Sequence, residues 1–380
     1  MKTLLFFTMC AVVLGFVLFR MRRHKPSMAF HSVDAIVPAY NEAACITHSL
    51  HLLLSNKYIH RVICVNDGST DDTAAVLAKL AETEPNLVVV NQTNTGKGGA
   101  LMHGLERVTT PYVFLTDADT LVPVRSEGLG HMIAELERGA DAVGGMPSSN
   151  LDQAGLLPHI RATVKLPMII LRRTFQQVLG GAPFIISGAC GMFRVDVLKK
   201  FGLSDRTKVE DLDLTWTLVS AGYKVRLAPR CIVYPQECNS PREEWRRWRR
   251  WITGYAVCMR LHWRLLPTRF GLVSILPMFA LSLFSAGVLA SSWGNKIAEG
   301  APALHLPVLL FPLLWVGIVC CIGAISALHH RQWLLIPLAP LAVIYVLLAY
   351  VIWALHGIHG LVTGREPQRD KPTRYAHVVG

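Results

Sequence analysis

The chain has 380 residues, 52% of them apolar, and a formal net charge of +12, which is long enough for one ordinary domain and more. The positive charge gathers at 20–25, at 242–264 and in the tail, each beside an apolar tract, so it reads as membrane flanking and not as a nucleic-acid footprint. The nine cysteines are scattered without paired metal spacing, which argues against a cysteine metal site and for a reducing compartment.

Residues 3–19 are continuously apolar, just long enough to cross a bilayer. Basic residues follow, with no small-residue cleavage pattern, so the stretch reads as an anchor and not a cleaved signal. Arg20, Arg22, Arg23 and Lys25 outweigh Lys2 and place the following domain in the cytosol. From Val33 onward, short β-rich runs at 33–37, 61–65, 87–90, 112–115 and 141–143 alternate with helices expected at about 42–54, 72–82, 98–107 and 126–138. Such alternation predicts an α/β domain with a mostly parallel sheet and helices on both faces. Ligands bind such sheets outside the carboxyl ends of the strands.

Polar clusters sit at those ends. Pro38-Ala-Tyr-Asn-Glu42 brings Pro38, Tyr40 and Glu42. Asn66-Asp-Gly-Ser-Thr-Asp-Asp72 brings Asp67, which can accept hydrogen bonds from a base or ribose, although the same segment also reads as a turn with a helix cap. Thr95-Gly-Lys-Gly-Gly99 opens a helix and offers Lys97 as a point charge to phosphate, but it lacks the spacing of a P-loop. The run 112–115 leads to Asp117 and Asp119. As a strand end, the stretch places its side chains at i and i+2 on one face, so both carboxylates face the same way, and paired carboxylates suit a hard divalent cation that also holds phosphates. The competing reading is a turn with a helix cap.

Farther on, Ile186-Ser-Gly-Ala-Cys-Gly-Met-Phe-Arg194 lets a substrate approach backbone at Ser187 and Gly188, or else packs as a tight core crossing. Glu210, Asp211 and Asp213 mark a helix start, where negative charge is favoured anyway; at a pocket rim, one of them could remove a proton from an attacking hydroxyl. Residues 241–264 place Trp245, Trp248 and Trp251 on one side of a helix among arginines. An interfacial helix and a sugar platform beside a phosphate clamp both fit, and nothing else in the chain supports nucleic acid. Tracts at 272–293, 306–328 and about 333–355 are long enough to span. That count sends the tail outside, whereas Arg365, Arg369, Lys371 and Arg374 favour the inside; one re-entrant or interfacial tract would reconcile the two. The expected division is an anchor with its basic flank (1–26), a catalytic domain (27–240), interface helices (241–268), membrane helices (269–362) and a basic tail (363–380).

With these residues in view, the chain resembles the membrane-embedded inverting glycosyltransferases of family 2, the group of the poly-N-acetylglucosamine, chitin, hyaluronan and cellulose synthases. The match spans about 33–260. It rests on 37–42, 65–70, Gly96-Lys97, Asp117 with Asp119, Ser187-Gly188 with Phe193-Arg194, Glu210-Asp211 and Arg250-Trp251, in that order. The resemblance implies a GT-A fold, a UDP-sugar donor, a polysaccharide or lipid acceptor and a small accessory membrane subunit. It implies that Asp67 contacts uridine, that Lys97 lies near the phosphates, and that Asp117 lines the donor site with Pro38, Tyr40 and Glu42. Asp119 would ligate Mg²⁺ or Mn²⁺, and Asp211 would be the general base. Ser187, Gly188 and Glu210 would face the acceptor, Arg250 would steady the diphosphate and Trp251 would stack on the acceptor sugar. One departure stands out: the family pattern Gln-x-x-Arg-Trp carries Arg247 in the Gln position. Arg can still bind phosphate, and related ceramide glucosyltransferases accept it there, so single addition to a lipid stays open beside polymer synthesis. A catalytically silent membrane scaffold or sugar-binding module is the reading from another class, and the intact carboxylates at Asp117, Asp119 and Asp211 argue against it.

Overall fold

Four apolar runs become β1 (Val33–Ala39), β2 (Ile59–Asp67), β3 (Leu87–Gln92) and β4 (Tyr112–Leu115) in the computed structural model, which describes residues 31–204, 206–277, 280, 306–367 and 373–376. The expectations for the anchor at 1–26, most of the tract 272–293, and part of the tail lie outside the described residues. The four strands pair in parallel, with Ile36 opposite both Ile63 and Leu115. Because helices cover both faces, both sets of alternating side chains are apolar. Val33, Ala35 and Val37 pack with α1 (Ile46–Leu54), while Ile36, Ile63 and Val65 pack with α3 (Gly96–Leu105). Helix α3 lies close on the sheet at Gly104, where a Cβ would come within 2.7 Å of Ile36 Cγ2. Helix α2 (Thr73–Thr83) links β2 to β3.

Past β4 the sheet turns mixed. Its order is β3-β2-β1-β4-β7-β6-β8-β5, with β5 (Thr120–Leu121), β6 (Ala142–Pro147), β7 (Gly191–Arg194) and β8 (Val225–Pro235). Strand β7 runs antiparallel to both neighbours, and β6 and β8 are parallel. The sequence reading found β6 but not β5, β7 or β8. In β8 the register skips 228–231, a bulge that accommodates Pro229. Helices α4 (Gly128–Glu137), α6 (Val195–Phe201) and α7 (Glu210–Ser220) complete the α/β unit.

A long helix that the sequence reading missed, α5 (Leu156–Gly180), has inverted polarity. Arg161, Thr163, Arg173, Thr174 and Gln176 are buried, whereas Leu156, Met168, Leu171, Phe175 and Leu179 are exposed. Its buried side meets α8 (Pro241–Leu261), α9 (Leu306–His330) and α10 (Ala339–Thr363). Ser326 Oγ donates to Ala162 O (2.6 Å), and Trp248 Nε1 on α8 reaches Tyr345 Oη on α10 (3.0 Å). Helix α8 starts where 241 was expected, with Pro241 in its first turn and Ser240 Oγ accepting from Glu243 N (3.2 Å). Among the described residues, α10 is long and apolar enough to cross a membrane by length and composition. It begins later than expected because 333–335 forms a 3₁₀ turn and Pro340 takes a first-turn position.

Candidate active site

The carboxyl ends of β1, β2 and β4 build one rim. Asn41, at φ 54°, takes the left-handed conformation that Asn tolerates, and its Oδ1 accepts from Thr70 N (2.7 Å), tying the β1 exit to the β2 exit. Asp67, buried at the end of β2, uses Oδ1 to hold Thr95 N and Gln92 Nε2, each at 2.7 Å. It thereby fixes the turn that presents Lys97. Its Oδ2 accepts no bond among the described residues.

Lys97 Nζ pairs with Asp117 Oδ1. A Cβ placed on Gly188 would lie 2.9 Å from Lys97 Nζ and 3.5 Å from Asp211 Oδ2. Lys97 therefore stands between two acids, and a side chain at position 188 would displace its ammonium group. Asp211 occupies the first turn of α7, where Oδ2 accepts from Gly188 N and Oδ1 from Leu212 N, both at 2.9 Å. Burial, then the neighbouring Glu210, raises its pKa above the ordinary carboxylate range. Lys97, Ser187, Gly188, Glu210 and Asp211 line one narrow cavity with Leu101, Phe193 and Leu214. Trp216 Nε1 to Phe184 O (2.9 Å) and Ile186 N to Thr215 Oγ1 (3.0 Å) stitch the Ser187 segment to α7.

Asp117 and Asp119 lie in a turn beyond β4, closed by Thr120 N to Asp117 O (3.1 Å). The strand-face argument therefore does not extend to them, and they meet different cations. Asp119 Oδ2 lies 2.5 Å from Nη1 of Arg374, whose Nε is 3.0 Å from Glu42 Oε2. Burial pushes the Asp119 carboxyl up to about 6; Arg374 opposes that, and Asp117 and Glu42 add to it. Two carboxylates from separate strand exits that already share one positive group supply hard oxygen donors of the kind a divalent cation takes together with substrate phosphates, and among the described residues no third His, Cys, Asp or Glu completes the set.

Asp213 turns away from the cavity. It takes Ser204 Oγ (2.7 Å), Arg206 Nη2 (2.9 Å) and His262 Nε2 (2.7 Å). Burial alone would raise its carboxyl, but the bonds from His262, Arg206 and Ser204 outweigh burial and bring it to about 2. Because the folded value lies below the unfolded one, the group stabilises the fold fully above pH about 4, by about 2 kcal/mol, and less as pH falls toward about 2. Asp213→Asn is thus expected to melt below the wild type at pH 7, with the gap roughly halved by pH 3. Equal gaps at both pH values would refute this.

The helix α8 residues are held differently from the expectation. Arg247 does not stand open for phosphate: Nη1 lies 2.9 Å from Glu237 Oε2 and Nη2 pairs with Glu244. Glu237 is a buried hub that also takes Arg161 Nη1 (2.6 Å), Lys165 Nζ (2.5 Å) and Ser149 Oγ (2.8 Å). Trp251 lies between Arg161 and Arg247, whose guanidinium carbons are 5.6 and 5.3 Å from its ring. Arg250 Nη1 donates to Lys208 O (3.2 Å), which carries it toward the turn before α7. Pro38 is half-buried near the end of β1, between the buried Val37 and Ala39, and Tyr40 is exposed just beyond. Glu237, Arg161 and Lys165, and the place of Arg374 at the rim, carry no motif in the sequence. The i, i+4 spacing of Arg161 and Lys165 within an apolar helix was the available signal.

Residues 34–202 match the model of glycosyl transferase family 2. The chain is 64% identical, over its whole length and 95% of the relative, to the "Uncharacterized glycosyltransferase YaiP" of Escherichia coli K12. It is 27% identical to the poly-beta-1,6-N-acetyl-D-glucosamine synthase of Staphylococcus epidermidis over 62% of this chain and 58% of that one. Among solved structures, the mannosyltransferase PcManGT of Pyrobaculum calidifontis, in complex with GDP-Man and Mn²⁺, shares the fold at TM-score 0.58 and 20% identity, over 95% of this chain and 98% of that one. The order β3-β2-β1-β4 with the antiparallel β7 inserted beside it is thus a GT-A-like sheet. The chain belongs to glycosyltransferase family 2.

Proposed function

We propose that this glycosyltransferase moves a sugar, N-acetylglucosamine first among candidates, from a UDP-sugar onto a growing β-linked polysaccharide with inversion. It would work from the cytosolic side of a bacterial plasma membrane that it spans, and pass the product through its own helices. The observation that carries this reading is the contact chain Asp211–Gly188–Lys97–Asp117, which sets a buried acid of raised pKa beside a lysine that can hold phosphate.

In this mechanism Ser187, Gly188 and Glu210 shape the acceptor site, and Asp211 takes the proton from the acceptor hydroxyl as its oxygen attacks the anomeric carbon. The bond from that carbon to the UDP oxygen breaks on the opposite side, which inverts the centre. Asp67 Oδ2 receives the uridine, and Tyr40, Pro38 and Asp117 border the donor. Lys97 holds the diphosphate, Arg250 approaches it from α8, and Trp251 offers its ring to the acceptor sugar. Asp119, with Glu42 beside it, would hold Mg²⁺ or Mn²⁺; when bound, the ion neutralises charge on the departing diphosphate. Supporting the polymer reading is the likeness to a poly-N-acetylglucosamine synthase. Supporting single addition to a lipid is Arg247, which is drawn into the Glu237 and Glu244 cluster where the resembled pattern has Gln. Membranes given radiolabelled UDP-sugars, with and without Mn²⁺, separate the two. A ladder of products is expected, one lipid-soluble spot would favour the second reading, and no label transferred from any UDP-sugar would refute both.

A further inference from the structure

Residues 373–376 lie across the rim, clipped at both sides of Arg374. Thr373 donates its N–H (3.0 Å) and its hydroxyl (2.8 Å) to Glu243 Oε1 at the start of α8. The carbonyl of Tyr375 accepts from Gln236 Nε2 (2.6 Å), and Gln236 N in turn bonds Asp119 O (3.2 Å). Between these clips Arg374 points inward to Asp119 and Glu42, with its side chain 17% exposed. One guanidinium thus sits where two carboxylates converge, and its single charge leaves one negative charge that a divalent ion would neutralise. Apart from Arg374, the segment is held by a few hydrogen bonds, to the half-buried Glu243 and the buried Gln236, few enough for the segment to open locally.

We propose that this segment is a removable plug, with Arg374 occupying the divalent-cation position between Glu42 and Asp119, so that ion and segment take the same carboxylates in alternation. The proposal rests on the reading of Asp119 as the metal residue. It makes the ion's apparent affinity weaker than the intrinsic one by the fraction of molecules with the plug out. Donor-free enzyme therefore stays largely unloaded until Mn²⁺ or Mg²⁺ displaces the arginine.

The test uses the purified full-length chain in detergent without nucleotide, with Mn²⁺ binding followed by electron paramagnetic resonance. Arg374→Gln is expected to bind Mn²⁺ at least about tenfold more tightly than wild type, and an unchanged or weaker affinity would overturn the plug. In the wild type, Mn²⁺ is expected to speed trypsin cleavage after Arg374, since the side chain is released; unchanged or slower cleavage would also overturn it. Asp119→Asn separates the two claims. Loss of Mn²⁺ binding in that variant, with Arg374→Gln like wild type, refutes the plug alone, whereas wild-type Mn²⁺ binding in Asp119→Asn removes the metal reading beneath it.

Discussion

Asp211→Asn is expected to lower sugar transfer by between about a hundredfold and ten-thousandfold, the range a positioned general base supplies, while leaving UDP binding largely intact. The local structure allows so clean a loss. The Asn carbonyl can keep the bond from Gly188 N, and Leu212 N still has Val209 O as acceptor at 3.0 Å. What disappears is the anion, whose proton affinity burial and Glu210 have raised. For the same reason the wild-type rate should fall on the acid side with a midpoint above that of an ordinary aspartate, and the variant should lose that limb. Near-normal turnover by Asp211→Asn in the membrane assay would remove Asp211 from the role of base.

Glu237→Gln is expected to destabilise the fold by about 3–5 kcal/mol, because it leaves Arg161, Lys165 and Arg247 around a neutral amide in a site closed to water. Those bonds span β8's exit, α5 and α8, so the loss is felt by three elements at once. In a thermal melt in detergent the midpoint should drop by about 5 °C. Glu84→Gln, at the half-buried partner of the exposed His51, is the control and should change stability by no more than about 0.5 kcal/mol. Trp251 should report the same event by fluorescence, since both guanidinium groups flanking its ring are tethered to Glu237. A Glu237→Gln melt that overlays the wild type would show that the cluster contributes nothing net.

How much of this was legible in the sequence depended on what each segment buries. Strands β1 to β4 are covered on both faces, so each carries an apolar run, at 35–37, 62–65, 87–90 and 112–115, that stood out at once. The acids and Lys97 followed from them, because each sits just past a strand end or in the first turn of a helix. Helix α5 escaped for the opposite reason: several of its large apolar residues face outward while Arg161 and Arg173 are buried beside Ala162, Val164 and Leu166, and Pro167 lies within it, so no clean periodicity marked it. Strand β8 hides behind Pro229 and Arg230 in its bulge, and β7 behind a run of small residues. Arg374 could not be placed at all, since it meets Glu42 from 332 positions away. Local pattern carries no record of such a contact. Arg247 was read as a phosphate ligand from its place in a motif, and only the fold reveals the two acids that claim it.

The inside-out helix also bears on how this protein can be handled. A fragment trimmed before the hairpin of α9 and α10, in the hope of a water-soluble catalyst, would strip the cover from Ala162, Thr163 and the Glu244–Tyr345 bond while keeping the outward Leu171, Phe175 and Leu179. The expected yield of such a truncation is aggregate, and the α/β unit and the helices α9 and α10 are better regarded as one cooperative body than as separable modules.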